Sequence, residues 1–298
     1  MSICLRRILA IVAFSFTALI AVAQSRTSTK PPAAADTVKP VVPKPSAGPK
    51  PYKDVITAKA ISRKGMFSVH KVEEKYYFEI PDSLLGRDIL TVGRISKSAT
   101  GVRSGGGGYA GDEINENVIR FDKGPNNKIF LKTISYFETG RDSSEGMYKN
   151  VLNSNVQPIA AAFDINAFSP DSTGSVIDIT SFINGDNDIF FFENNTKRFI
   201  GLGGMQSDRS YIVSAKPYPA NIEIKTVKTY TRSSPGGGLP GASLPGSGQP
   251  VTFELNTSLV LLPKTPMQPR YFDDRIGYFT TQTITDFDVF NSKVTGCP

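Results

Sequence analysis

The chain has 298 residues with a single His, two Cys and no Trp, a scarcity that excludes most metal chemistry and most His-based nucleophile chemistry. Its 34 basic and 27 acidic side chains give +7, but residues 1–51 carry +6 of this, with seven basic side chains from Arg6 to Lys50 against Asp36 alone. The remaining body is nearly neutral, so no nucleic-acid partner is expected.

Residues 1–23 read as a signal peptide. Arg6 and Arg7 form its charged start, Ile8 to Ile20 is an apolar run, and Ala21-Val22-Ala23 is a small-x-small cleavage site. The run is shorter than the ~20 residues that span a bilayer, so removal and export to the periplasm or the exterior are expected, with no stable membrane insertion. Cys4 precedes the apolar run, where it cannot be lipidated, and cleavage leaves Cys297 alone, so no internal disulfide is expected. Residues 24–51, rich in Pro, Lys, Ala, Ser and Thr, read as an extended Pro-rich disordered linker.

From Tyr52 the pattern changes to short strands, which predicts a mainly β fold of antiparallel sheets with a few short helices. Residues 52–96 are expected to form a small N-terminal sheet from Gly65 to Lys71, Lys75 to Ile80 and Ile89 to Ile95. Residues 97–288 are expected to form a larger sandwich or barrel-like domain. Its predicted strands are Asn117 to Phe121, Lys128 to Phe137, Ile159 to Phe163, Val176 to Thr180, Asp188 to Phe192, Tyr211 to Lys216, Asn221 to Thr231, Val251 to Leu262 and Ile276 to Ile284. The Gly-rich stretch 97–116 and the Gly- and Pro-rich stretch 233–250 read as flexible loops, and 289–298 as a loose tail. The chain's 19 Phe and 11 Tyr are enough to fill a sizeable core.

Motifs for chemistry are sparse. His70 sits in an alternating strand, where a surface or sheet-face histidine is the expected reading, and no Gly-x-Ser-x-Gly elbow is present. Gly105 to Gly108 lacks the following helix and the Lys-Ser/Thr of a phosphate cradle. Asn184, Asp186 and Asp188 have the alternate spacing of a calcium loop without its sixth-position Gly or distal Glu, and are read as a turn first and a cation site second.

Several segments in one order carry a resemblance: Gly65 to His70, Tyr76 to Asp88, Phe168 to Asp171, Tyr218 to Glu223, Ser258 to Pro263 and, longest, Pro266 to Phe279. Together they resemble the N-terminal part of a family of exported bacterial zinc-dependent metalloproteases, in which two domains of unknown function precede a metzincin-like catalytic domain. The resemblance implies that zinc and catalysis belong to a later His-Glu-x-x-His helix, to which nothing here can be matched, so no catalytic residue, metal ligand or cofactor is assigned to this chain. A truncated or free-standing version of the leading region is expected.

In the segment Pro266, Met267, Pro269, Arg270, Asp273, Asp274, Arg275 and Tyr278, prolines restrict the backbone and charges alternate before an aromatic strand. Its structural reading is a rigid connector. Its functional reading is a docking segment for a missing or separate metalloprotease catalytic domain, which would leave the strand Ile276 to Ile284 with an open edge. Three functions follow: a non-catalytic module for docking, fold assistance or substrate recruitment; a free-standing peptide- or glycan-binding module, marked by an exposed aromatic platform; or a residual hydrolase, marked by converging carboxylates.

Overall fold

Period-two alternation dominates the described residues, which in the computed structural model are 48–100, 102, 107–139, 146–233, 248–265, 267, 270–271, 275, 282–286 and 293–297. The predicted signal peptide and most of the predicted linker lie outside them. The first strands are β1 (Ile61–Arg63), β2 (Ser68–Val72), β3 (Lys75–Pro81), β4 (Asp88–Lys97), β5 (Glu113–Gly124), β6 (Lys128–Thr133), β7 (Glu138–Thr139), β8 (Ile159–Phe168) and β9 (Gly174–Asp178). They are followed by β10 (Leu202–Met205), β11 (Tyr211–Pro217), β12 (Asn221–Arg232), β13 (Pro250–Leu261), β14 (Arg270–Tyr271), β15 (Gln282–Asp286) and β16 (Lys293–Cys297). Among the described residues four short α-helices interrupt them: α1 (Tyr52–Val55), α2 (Gly146–Ser154), α3 (Thr180–Asn184) and α4 (Asn194–Ile200).

Twelve strands form one antiparallel sheet in the order β1-β2-β3-β9-β8-β6-β5-β4-β13-β12-β10, with β11 also on β12. The mainly β, antiparallel reading is met, with a few short helices. The small sheet expected over 52–96 is not a separate one: β3 pairs with β9, while β4 lies between β5 and β13 in the middle of the same sheet. The physical reason is in β3, where Tyr76, Tyr77, Phe78 and Ile80 are all buried. One face joins the main core, and the other, Tyr77 with Val176 and Ala167, is covered by Val55 of α1. A strand buried on both faces reads as a continuous apolar run and needs neighbours on both edges.

The hairpin predicted between Asn117 and Phe137 is β5–β6, with Gly124 opposite Lys128. Asn126 and Asn127 hold φ of 56° and 54°, the left-handed region that Asn tolerates. At the β8–β9 turn, the Asp171 carboxylate accepts from Ser169 Oγ at 2.6 Å and from the Thr173 amide at 3.2 Å. These bonds hold it down at about 2.

The two ends of the sheet approach each other. Met66 donates its amide to Tyr218 O at 2.7 Å, and a Cβ on Gly65 would lie 2.7 Å from both Tyr218 O and Pro217 Cβ. Two of the quoted motifs, Gly65 to His70 and Tyr218 to Glu223, are therefore one contact, and only glycine permits it. Gly65→Ala should cost about 1–3 kcal/mol by forcing backbone apart, read as a lower denaturant midpoint.

Asp188 to Phe192, predicted as a strand, is an irregular segment that plugs the space between the sheet's faces. Phe190, Phe191 and Phe192 are all fully buried. Its backbone closes a turn instead of a ladder: the Phe191 amide donates to Asn187 O at 3.2 Å and the Phe190 amide to Asn187 Oδ1 at 2.9 Å. The plug's main-chain oxygens find side-chain donors in the sheet: Thr91 to Ile189 O at 3.2 Å, Thr257 to Phe190 O at 2.7 Å and Asn115 to Phe191 O at 2.9 Å. Thr257→Val preserves shape but strands the Phe190 carbonyl, and a loss of about 1–3 kcal/mol is expected in chemical denaturation.

Other elements differ from the prediction at their ends. Val176 to Thr180 is β9 only to Asp178, and α3 begins at Thr180. β6 stops at Thr133. β5 begins at Glu113, inside the stretch 97–116 read as a loop, because Gly111 donates to Ile95 O and Ile95 to Asp112 O, extending the pairing with β4. Residues 234–247 of the second predicted loop lie outside the described residues. The tail 289–298 is not loose over 293–297, where β16 pairs with both β14 and β15.

Candidate functional site

β14, β16, β15 and β7 form a second, four-stranded sheet in that order. Of the predicted docking segment, Met267 is exposed, Arg270 opens β14 opposite Cys297, and Arg275 occupies a turn. Pro266, Pro269, Asp273, Asp274 and Tyr278 lie outside the described residues. The open edge expected of Ile276 to Ile284 is not found over 282–286: β15 is internal, antiparallel to β16 and parallel to β7. Residues 276–281 lie outside the described residues.

Through β7 this second sheet reaches the rim of a groove of about 920 Å³ between the end of β6 and α2. The loop after β6 and the segment after α2 are tied reciprocally: Ser135 donates its amide to Gln157 Oε1 at 2.9 Å, and Gln157 Nε2 donates to Ser135 O at 3.2 Å. This brings Tyr136 and Phe137 opposite Tyr148, Leu152 and Val156. The charges around the groove are engaged with one another. Arg120 donates to Asp88 Oδ1 at 2.9 and 2.6 Å, Tyr136 donates to Asp88 Oδ2, Lys132 pairs with Asp122 at 2.8 Å, and Asn155 donates to Glu138 at 2.8 Å. Burial, reinforced by Asp88, pushes the Tyr136 phenol up to about 12, so it remains a fixed donor at neutral pH. What the groove offers a partner is apolar: Phe137 is 60 %, Leu152 57 % and Val156 89 % exposed.

The weak cation loop holds a cation that the chain itself supplies. Lys228 is fully buried, and its Nζ donates to Ile183 O at 2.6 Å, Asn184 O at 2.8 Å and Gly185 O at 2.9 Å, over the Phe191 ring at 4.2 Å. Asp186 pairs with Lys197 at 2.7 Å and accepts from Tyr230 at 3.2 Å, while Asp188 gives its main-chain oxygen to Asn115 and Asn117. Of the three residues, only Asp186 has its side-chain oxygens engaged, by Lys197 and the Tyr230 hydroxyl; Asn184 and Asp188 give main-chain oxygens, and Asn184 Oδ1 is buried without a hydrogen-bond partner. Burial pushes Lys228 down to about 7, with Asp186 pulling the other way. Among the described residues no group of three His, Cys, Asp or Glu is placed to hold a metal.

Sequence reasoning placed His70 on a sheet face and gave it no partners. In the structure it is buried, its Nδ1 2.7 Å from Ser62 Oγ and its Nε2 2.9 Å from Glu79 Oε2. The partners come from β1 and β3, whose register was not legible.

These features define a mainly β protein built on one large antiparallel sheet, with an apolar groove beside a smaller sheet. No described helix is long and apolar enough to cross a membrane. The chain belongs to the family described as a domain of unknown function, DUF5117, whose model matches residues 111–297. A second domain of unknown function, DUF5118, matches residues 49–98. Two domains of unknown function are therefore present, and their strands pair at β4–β5, β4–β13 and β3–β9. No curated protein and no solved structure matches the chain.

Proposed function

We propose that this chain is a docking and substrate-recruiting module, without peptidase chemistry of its own, of an exported zinc metalloprotease-like protein. The observation that carries the reading is the apolar groove of Tyr136, Phe137, Leu152 and Val156, whose polar neighbours are already paired internally. Such a surface gains free energy by covering apolar area with another protein's apolar side chains. A sugar would need free polar groups there, and the Tyr136 hydroxyl is committed to Asp88. Because β15 is paired on both sides over 282–286, the reading rests on the groove and not on an open strand edge; the smaller sheet joins the groove's rim where Thr285 and Asp286 pair with Glu138 and Thr139. The ordered motifs support the link to zinc metalloproteases, and the leader Arg6 to Ala23 supports export. In this reading zinc belongs to the catalytic partner.

The test is binding of the purified chain to the catalytic domain of such a metalloprotease, by calorimetry. The double variant Phe137→Glu, Leu152→Glu should weaken binding by at least ~10-fold, as expected when buried apolar anchors are replaced by charges. Unchanged affinity in the variant would refute the groove as the surface. Stoichiometric, tightly held zinc with casein cleavage by the chain alone would refute the absence of peptidase chemistry.

A further inference from the structure

Three strands at one end of the large sheet align a hydroxyl, an imidazole and a carboxylate. Ser62 of β1 lies directly opposite His70 of β2, and His70 lies opposite Tyr77 of β3, two residues from Glu79. All three side chains therefore share a face, with Glu79 on the diagonal. The file is continuous: Ser62 Oγ to His70 Nδ1 is 2.7 Å, His70 Nε2 to Glu79 Oε2 is 2.9 Å, and Tyr52 donates to the same Oε2 at 2.8 Å.

The chemistry of the partners sets the direction of each bond. Hydrogen bonding from His70 holds the Glu79 carboxyl below its usual range against the opposing effect of burial and of Asp171. An ionised carboxylate only accepts, so in the neutral ring the tautomer that bonds Glu79 has its proton on Nε2 and its Nδ1 lone pair toward Ser62, whose hydroxyl donates to it. Tyr52, raised to about 12 chiefly by burial, stays a donor to Glu79 and stacks edge-on to the imidazole at 6.3 Å between centroids. The base is buried, while Ser62 lies on an exposed strand that terminates the sheet. Ser62 is thus the member of the file nearest to solvent.

We infer that Ser62 is an activated nucleophile toward small carboxylic esters with good leaving groups, with His70 as its general base and Glu79 and Tyr52 as positioning residues. Ser62 Oγ bonds to the carbonyl carbon as its proton passes to His70 Nδ1. The bond from that carbon to the leaving oxygen breaks, and His70 returns the proton to the leaving alcohol. Water then repeats the transfer, releasing the carboxylic acid and restoring Ser62. Glu79 stabilises the imidazolium between the two transfers. This site is separate from the groove and independent of the docking reading.

The experiment uses the purified full chain with a fluorophosphonate probe and with p-nitrophenyl acetate. A phosphonyl adduct on the Ser62 peptide is expected, together with ester hydrolysis that falls about 100-fold in Ser62→Ala and in His70→Gln, the scale of losing a general base. Glu79→Gln should retain the adduct but displace the pH profile of hydrolysis, which a purely structural role would not do. Ser62→Ala alters an exposed position, and an unchanged circular dichroism spectrum keeps its rate interpretable. No adduct at Ser62, or hydrolysis unchanged in Ser62→Ala, would overturn the assignment.

Discussion

Lys228→Met is expected to lower the unfolding free energy by about 3–5 kcal/mol, the range for removing one partner from a buried charged network. The ammonium has three N–H bonds, and three carbonyls, those of Ile183, Asn184 and Gly185, receive them. Methionine fills a similar volume but leaves all three oxygens without that donor, and each orphaned buried acceptor costs about 1–3 kcal/mol. The site also makes stability depend on pH. The fold lowers the Lys228 pKa from 10.5 to about 7, so between those values the unfolded chain holds a proton that the folded chain has released. The burial cost is present in full below about 7, and this site's contribution to stability rises with pH through that window. Urea midpoints at pH 7 and pH 9 should diverge between the wild-type chain and Lys228→Met; parallel shifts would show that Lys228 does not titrate there.

Phe192→Ala should cost about 3–5 kcal/mol, as for other fully buried aromatic truncations. The ring packs edge-on against Tyr230 at 5.6 Å and against Phe253 at 5.1 Å between centroids. It therefore locks the irregular plug to β12 and β13, the strands that make the longest ladder in the sheet. Removing it leaves a cavity that the sheet cannot collapse to fill, because its neighbours are fixed by backbone pairing. A loss under about 1 kcal/mol would mean that the plug repacks freely, contrary to the side-chain donors that hold its carbonyls. The Phe191 truncation should not be additive with Lys228→Met, since that ring lies 4.2 Å beneath the ammonium.

The strands were legible wherever one face is wet. In β12, Ile222, Ile224, Thr226, Lys228 and Tyr230 share one parity and are all buried, so the same alternation that marks the strand also places Lys228 inside. That signal was available in the sequence, and a lysine at an inward position is informative for this reason. The run Ile189 to Phe192 was not separable from a buried strand by pattern alone. What decides against a strand is the supply of donors from Thr91, Asn115 and Thr257, each remote in sequence. α2 escaped notice because only Tyr148, Val151 and Leu152 mark its groove side, and half of the groove went unseen with it. The Ser62, His70 and Glu79 file depends on strand register, which a turn such as Glu73-Glu74 fixes only once its geometry is known. The quoted motifs proved partly architectural: Gly65 meets Tyr218, and Arg87 donates to Leu262 O at 2.7 Å.

The docking account is tested most directly by hydrogen exchange of the chain with and without a metalloprotease catalytic domain of the resembling family. Protection confined to Ser135 to Glu138 and Met147 to Val156 is the predicted footprint. Protection elsewhere in the large sheet with those segments unchanged, or no protection at all, would contradict it.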